Sequence, residues 1–145
     1  MSVTLRLAEA TDQSRCLELL KILVGIDDTR HEVFDTKTFD ALIANQRGSV
    51  ILAEEDANIL GMAAISYNLA LRYNGEYCQL EELVVDPNAR GKNVGGLLVE
   101  ESVRLARARG CKEFGLYLLE STKHNEPFYA KYGFNTVGAE MRQSL

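Results

Sequence analysis

The chain contains 145 residues, 46% of them hydrophobic and 26% charged, with a formal net charge of −5 at pH 7. This length predicts one domain over residues 1–145, because a chain of this size buries roughly two-thirds of its unfolded surface. The acidic balance argues against nucleic acid as a partner. No run approaches the roughly 18 apolar residues of a membrane span, and MSVTLRLAEA lacks the plan of a signal peptide, so we expect a cytoplasmic protein without a membrane partner.

Hydrophobic periodicity divides the chain into elements in the order β-α-α-β-β-β-α-β-α-β. Alternating apolar residues mark the strands, and apolar residues three and four apart mark the helices. The expected strands are Val3–Leu7, Ser49–Glu54, Ile59–Leu71, Glu76–Val85, Phe114–Leu119 and Phe134–Ala139. The expected helices run from a cap at Thr11 or Asp12 to Val24, and over Thr38–Gln46, Val94–Arg109 and Asn125–Tyr132, with a polar loop at Gly25–Thr36.

Asn74-Gly75 is the strongest hairpin signal in the chain, because both positions accept a positive φ. It joins two of three consecutive strands into an antiparallel meander. The strand–helix–strand unit from Leu80 to Leu119 is expected to be a right-handed crossover between parallel strands. The predicted fold is therefore of the α/β (mixed α+β) class, with a mixed, mostly antiparallel central sheet and helices on both faces.

The end of the meander carries the clearest functional signal. The apolar run Leu83–Val85 is stopped by Asp86-Pro87-Asn88, since proline cannot continue a ladder. A basic segment with glycines, RGKNVGG at 90–96, then leads directly into a helix. This arrangement directs free backbone N–H groups and the positive end of a helix toward one point, and it predicts a phosphate or pyrophosphate site.

Other common motifs are missing. The segment has no GK[ST] as in a nucleotide-triphosphate loop, and neither GxGxxG nor GxSxG occurs. Cys16, Cys78 and Cys111 form no CxxC pair, so we expect reduced thiols. His31 and His124 have no metal-ligand spacing such as HExxH, and they are expected to be surface groups rather than catalysts. No metal cofactor is expected.

Two motifs in this order resemble the GNAT superfamily of acyl-CoA-dependent N-acyltransferases. The first is LEELVVDPNARGKNVGGLL at 80–98, and the second is PFYAKYGF at 127–134, which matches FYxxxGF. The phosphate loop of that family follows Q/R-x-x-G-x-G/A, and Arg90, Asn93 and Gly95 fall on its marked positions. Asn93 replaces the usual glycine. Asparagine tolerates left-handed backbone best after glycine, so the loop is expected to keep its shape.

The resemblance implies acetyl-CoA as co-substrate and identifies the residues that bind it. The pantetheine arm would pair with the main chain of Leu83, Val84 and Val85. The pyrophosphate would be held by the amides of Gly91, Lys92, Asn93, Val94, Gly95 and Gly96. The side chains of Arg90 and Lys92 are expected to contact the same molecule, the alternative being that they are solvated charges.

The resemblance also implies catalytic roles. Tyr129 matches the position of a general acid for the departing thiolate, and Glu81 matches a strand glutamate that polyamine acetyltransferases of the family use as a base. Glu81 and Glu82 are adjacent on a strand, so we expect them to point to opposite faces, with at most one facing the cleft. The alternatives are a solvated carboxylate on the strand and, for Tyr129, a packing role.

The sequence therefore predicts an N-acetyltransferase in which a primary amine attacks the thioester directly, with a glutamate base and a tyrosine acid. The alternative is a non-catalytic acyl-CoA-binding or regulatory module on the same fold. The acceptor stays open among a small-molecule amine, an antibiotic, an amino acid, and a protein N-terminus or lysine. Asp27-Asp28 and the acidic 32–35 segment would attract a cationic amine, the alternative being that they are ordinary loop charges. An exposed final strand would offer an edge for a homodimer.

Overall fold

The computed structural model describes residues 2–25 and 34–145, and within them it has five strands and four α-helices. The strands are β1 (Thr4–Leu7), β2 (Gly48–Glu55), β3 (Asn58–Ala70), β4 (Gly75–Val85) and β5 (Phe114–Leu116). The helices are α1 (Gln13–Val24), α2 (Thr36–Ile43), α3 (Val94–Arg109) and α4 (Glu126–Ala130).

The strands form one sheet in the order β1-β2-β3-β4-β5. Neighbours are antiparallel from β1 to β4, whereas β4 and β5 are parallel and are joined through α3. The meander and the mixed sheet predicted from the sequence are therefore confirmed.

Helices cover both faces of this sheet. Side chains alternate between two cores along each strand, so Ile51 belongs to the core under α3 and Leu52 to the core under α1 and α2. The α3 side includes Ala63, Ile65, Cys78, Leu80, Val94 and Leu98. The side of α1 and α2 includes Cys16, Leu19, Phe39, Met62 and Val84. The two faces of the sheet near the end of β4 are thus separate environments.

The hairpin between β3 and β4 is confirmed, and its loop lies one residue earlier than expected. Ala70 pairs with Gly75, so the loop consists of four residues, beginning with a 3₁₀ turn at Leu71–Tyr73. Asn74 takes the left-handed backbone at φ 53°, and Gly75 is already the first residue of β4. One left-handed residue after a 3₁₀ turn reverses the chain, and a second is not needed.

The predicted last strand, Phe134–Ala139, is also wrong. Residues 134–145 contain no strand, and Val137 is 99% exposed. The apolar residues Phe134 and Val137 are three apart, which does not give the alternation of a half-buried strand. Phe134 instead packs edge-on against Phe114, with 5.4 Å between the ring centroids.

The remaining boundaries differ by a few residues. β5 ends at Leu116 rather than Leu119, and α4 is five residues long rather than the predicted eight. Helix α2 begins at Thr36 because the side chain of Asp35 accepts a hydrogen bond from the amide of Lys37 at 2.8 Å. The predictions on Asp27-Asp28, His31 and Glu32 lie outside the described residues.

Candidate active site

One edge of β4 is open over its last five residues. Toward β3, β4 stays paired as far as Val85, which lies opposite Gly61. Toward β5 the pairing covers only Cys78–Leu80, and no other strand of the described chain follows along that edge. The main-chain groups of residues 81–85 that point away from β3 are therefore available to a ligand, because an unpaired strand edge is a template for further hydrogen bonds.

A β-bulge lies at the start of this open segment. Leu80 pairs with Ile65 and Glu82 pairs with Ala64, so Glu81 is an extra residue without a partner of its own on β3. A bulge of this kind shifts the alternation of side chains along the strand by one. Leu80 and Leu83 consequently belong to the core under α3, although they are three residues apart.

Because of this shift, Glu81 and Glu82 lie on the same face of the sheet. Glu82 is opposite Ala64, and Glu81 bonds to Ser66, two residues further along β3 and on the same side. This is the face that α1 and α2 cover. The prediction that the two carboxylates point to opposite faces is wrong, because it assumed an unbroken strand.

The carboxylate of Glu81 is exposed and held by hydrogen bonds. Ser66 donates its hydroxyl to Glu81 Oε2 at 2.6 Å. Asn68 donates its side-chain amide to the same Ser66 oxygen at 3.0 Å. The result is a chain of donors that ends on the Glu81 carboxylate.

Glu82 has a different environment, although it is the next residue. It is half-buried, and no hydrogen bond from the described residues reaches its carboxylate. Burial, and secondarily the charge of Glu81, raise the pKa of Glu82 to about 7. A carboxylate with this pKa can accept a proton near neutral pH.

The loop after β4 is anchored to α1. The guanidinium of Arg15 donates to Asp86 Oδ2 at 2.6 Å and to the Ile59 carbonyl at 2.8 Å. Asp86 in turn accepts from the Asn88 amide at 2.9 Å, which closes the 3₁₀ turn at Pro87–Ala89. The loop thus leaves the sheet in a fixed direction.

The turn into α3 presents backbone N–H groups. Asn93 has φ 56° and ψ 31°, the left-handed conformation expected for it, and Gly91 has φ 86°. The side chain of Val94 is buried in the core, so the first turn of α3 is fixed by packing. The Asn93 side chain makes no capping bond. The N–H groups of Val94, Gly95 and Gly96 thus have no acceptor within the helix.

Helix α4 packs against this same turn. The Phe128 ring lies 3.4 Å from where a Cβ on Gly95 would be. A Cβ on Gly96 would overlap both the Tyr132 hydroxyl and the side-chain oxygen of Asn93. Gly96 is therefore required by close packing, whereas a side-chain carbon at Gly95 would make an ordinary contact with Phe128. The two sequence motifs thus pack against each other in the fold.

The two basic residues of the loop are not equivalent. Arg90 is exposed, and within the described chain its side chain makes no hydrogen bond or ion pair. Lys92 forms an ion pair with Glu55 at the end of β2. Arg90 is thus ready for an anionic ligand, whereas Lys92 would first have to leave Glu55.

Tyr129 lies on the α3 side of the sheet, opposite the two glutamates. Its ring packs against that core, 5.0 Å from the Phe128 centroid and 6.2 Å from the Phe134 centroid. Burial raises its pKa above the ordinary value for tyrosine, which keeps the hydroxyl protonated at neutral pH. Within the described residues its hydroxyl forms no hydrogen bond, so it can donate to a ligand.

The described part of the chain also contains one of the two histidines. His124 is an exposed residue of the 3₁₀ turn at Glu120–Asn125. Residues 2–25 and 34–145 contain no group of three or more side chains suited to a metal ion. The same part of the chain has no helix of the length and apolarity needed to cross a membrane.

Sequence reasoning missed Ser66, Asn68, Glu55 and Arg15. Ser66 and Asn68 are ordinary polar residues of a long strand, and their link to Glu81 depends on the register of β3 against β4. Arg15 is one of several charges on α1, and its contact with Asp86 spans 71 residues. No local pattern in the sequence marks these contacts.

The fold and the site define a class of protein, and comparison with known proteins agrees. Residues 16–134 match the model of the acetyltransferase (GNAT) family. The chain belongs to this family and is an acyl-CoA-dependent N-acetyltransferase. The fold class predicted from the sequence is thereby confirmed as well.

Several relatives cover nearly the whole chain. A probable glucosamine 6-phosphate N-acetyltransferase of Oryza sativa is 32% identical over 147 residues, covering 97% of this chain and 86% of the relative. The glucosamine 6-phosphate N-acetyltransferase of Trypanosoma brucei is 26% identical over 152 residues, covering 100% and 97%. The crystal structure of a Trypanosoma brucei acetyltransferase superposes with a TM-score of 0.80 at 25% identity, covering 99% and 100%.

Proposed function

We propose that this chain transfers the acetyl group of acetyl-CoA to the primary amine of a small acceptor by direct attack, with Glu82 as general base and Tyr129 as general acid. The observation that carries the proposal is the arrangement around the open edge of β4. Two carboxylates lie on one face of the sheet, and a tyrosine with a free hydroxyl lies on the other. A thioester lying along the open edge would have access to both.

The residues present fit acetyl-CoA as co-substrate. The open main chain at Leu83, Val84 and Val85 can pair with the amide groups of the pantetheine arm. The amides of residues 91–96 and the free guanidinium of Arg90 suit the pyrophosphate.

The chemistry then needs three contributions from the chain. The nitrogen of the amine forms a bond to the carbonyl carbon, and the carbon–sulfur bond breaks. Glu82 accepts the proton of the amine, directly or through water, and Tyr129 gives a proton to the departing sulfur. Main-chain N–H groups on the open edge stabilise the charge that develops on the carbonyl oxygen.

Direct attack is favoured over an acyl-enzyme by the state of the cysteines. Burial raises the pKa of Cys78 to about 12 and that of Cys16 to about 11. A thiolate is the nucleophilic form of cysteine, and at neutral pH these residues are thiols. Cys111 is half-buried, and burial raises its pKa as well.

We propose an amino-sugar phosphate as the first acceptor to test, because the relatives that cover nearly the whole chain are named for glucosamine 6-phosphate. The experiment is release of free thiol from acetyl-CoA with glucosamine 6-phosphate, glucosamine, glucose 6-phosphate, lysine and a polyamine, with the product identified by mass. Glucosamine 6-phosphate should give an N-acetylated product, and glucose 6-phosphate, which has no amine, should give none.

The alternative is that the chain binds acyl-CoA without catalysis. Titration of acetyl-CoA by calorimetry beside the thiol assay separates the two cases. Micromolar binding of acetyl-CoA without acetyl transfer to any amine of the panel would support the binding module and contradict the enzyme mechanism.

A further inference from the structure

The two glutamates of β4 differ in what surrounds them. Glu81, the bulged residue, is exposed and receives the Ser66 hydroxyl at 2.6 Å. Glu82, the next residue, is half-buried and receives no hydrogen bond from the described residues. Because the bulge places both carboxylates on one face, each lies within the electrostatic reach of the other.

The direction of the hydrogen bonds shows how Glu81 is held. The Asn68 amide donates to the Ser66 oxygen at 3.0 Å, and an amide nitrogen has no lone pair with which to accept in return. The hydroxyl proton of Ser66 is therefore directed to Glu81. The Glu81 carboxylate is therefore held in place by a donated hydrogen bond, and Glu82, the next residue, has no such partner among the described residues.

We infer that Ser66 and Asn68 are positioning residues, which hold Glu81 as a fixed carboxylate beside Glu82 and thereby leave Glu82 as the group that takes the proton of the amine. This inference rests on the proposed function. It reverses the assignment by family resemblance, in which Glu81 is the base. It also gives the bulge a role, since an unbroken strand would place the two carboxylates on opposite faces.

Among the described residues, the other charged groups of α1 and β4 form no hydrogen bond or ion pair with Glu82. On α1, which packs against β4, Arg15 is bound to Glu18 and Asp86. Lys21, also on α1, is exposed, and Cys16 is a buried thiol. Arg72 stacks over Tyr77, five residues before Glu82. Glu81 is the charged group that acts on the pKa of Glu82 together with burial.

The first test compares the pH dependence of kcat/KM for acetyl transfer in Glu81→Gln and Glu82→Gln. Glu81→Gln removes the neighbouring negative charge, so the acid limb of the profile should move down by roughly one pH unit, with turnover retained above it. Glu82→Gln should lose turnover at all pH values while still binding acetyl-CoA. Loss of turnover in Glu81→Gln with retention in Glu82→Gln would overturn the inference.

The second test addresses Ser66. Ser66→Ala frees the Glu81 carboxylate to turn and to share the proton of Glu82, so kcat/KM at pH 7 should fall roughly fivefold. Ser66→Thr keeps the hydroxyl on a residue suited to strands and should restore the wild-type rate. Calorimetric titration of acetyl-CoA should give the same affinity for all three proteins.

A double-mutant cycle separates positioning from a merely structural role. If Ser66 acts through the charge of Glu81, Ser66→Ala should have no further effect on kcat/KM once Glu81 is Gln. The inference would be overturned if the losses in kcat/KM of Ser66→Ala and Glu81→Gln were additive. It would also be overturned if Glu81→Gln left the acid limb of the pH profile of kcat/KM unchanged. Failure of the proposed function would look different, because wild type would then bind acetyl-CoA without acetylating any amine.

Discussion

At the scale of single residues, the site depends on the difference between Glu82 and its neighbours. A half-buried carboxylate beside another carboxylate resists ionisation, and its pKa is raised to about 7. Tyr129, on the other face of the sheet, stays protonated because burial raises its pKa. A carboxyl group with a raised pKa and a protonated tyrosine hydroxyl thus lie on opposite faces of the sheet.

Removing the Tyr129 hydroxyl should separate catalysis from binding. Tyr129→Phe keeps the ring contacts with Phe128 and Phe134 but cannot protonate the sulfur, so kcat should fall by roughly a hundredfold. The KM for acetyl-CoA should be nearly unchanged. Steady-state kinetics check this, with Tyr117→Phe, an exposed tyrosine under Arg142, as the matched control. Wild-type kcat in Tyr129→Phe would refute the acid role.

Ionised Glu82 should also destabilise the folded protein at alkaline pH. Its folded pKa of about 7 lies above its ordinary value of 4.5, so the folded state binds its proton more tightly than the unfolded state. The protonated Glu82 side chain therefore adds to the free energy of unfolding. This addition is fully present below pH 4.5 and is lost as the pH rises through about 7. Glu82→Gln should therefore raise the melting temperature relative to wild type at pH 8 more than at pH 5. Equal differences at both pH values would contradict the raised pKa.

The two basic residues of the phosphate loop should differ in their effect. Arg90→Ala removes a free guanidinium and should weaken acetyl-CoA binding roughly tenfold, with a loss that shrinks at high salt. Lys92→Ala should have a smaller effect, since the Lys92 ammonium is already paired with Glu55. Calorimetric titrations at two salt concentrations measure both. Equal losses for the two variants would show that the ion pair opens without cost.

At the scale of elements, the N-terminal turn of α3 is formed jointly by two distant segments. Gly95 and Gly96 lie under Phe128 and Tyr132, so the backbone turn and helix α4 are packed as one unit. Asn93 takes the left-handed conformation that lets the chain enter α3. A change in this packing should therefore affect both folding and acetyl-CoA binding.

Gly96→Ala tests this joint packing. The added methyl group would overlap the Tyr132 hydroxyl and the Asn93 side chain, so the variant should lose about 1–3 kcal/mol of unfolding free energy. Gly138→Ala is the matched control, because nothing lies within 4 Å of the position of its new Cβ. Adding Tyr132→Phe to Gly96→Ala should recover part of the loss in a urea titration. A Gly96→Ala variant as stable as the control would refute the packing argument.

Much of this element structure could be predicted because its signals are local. The meander, the loop after Val85 and helix α3 follow from periodicity, proline and glycine. The left-handed Asn93 was also predicted correctly from the tolerance of asparagine. The bulge at Glu81 could not be predicted, since it arises from how β4 pairs with β3, and the faces assigned to Glu81 and Glu82 were wrong for that reason. The expected strand at Phe134–Ala139 was wrong because Phe134 packs on Phe114 instead of pairing.

At the scale of the whole molecule, the sheet separates the side of α3 from the side of α1 and α2. The two sides meet at a gap in the sheet, the open edge of β4 at residues 81–85. The face under α3 and α4 carries the turn that suits the pyrophosphate and the Tyr129 hydroxyl, and the face under α1 carries Glu81 and Glu82. β5 pairs with β4 over only three residues, so the gap opens just where the carboxylates begin. Under the proposed function, acetyl-CoA would approach from one side of the sheet and the amine from the other.

The most direct test of this account is acetyl transfer from acetyl-CoA to glucosamine 6-phosphate by wild type and Glu82→Gln, measured from pH 5 to pH 9 with the product identified by mass. Wild type should form one N-acetylated product per free thiol, with kcat/KM falling below pH about 7 as Glu82 takes up its proton. Glu82→Gln should bind acetyl-CoA with wild-type affinity and form almost no product. A Glu82→Gln variant that turns over at the wild-type rate with the same pH profile would contradict the account.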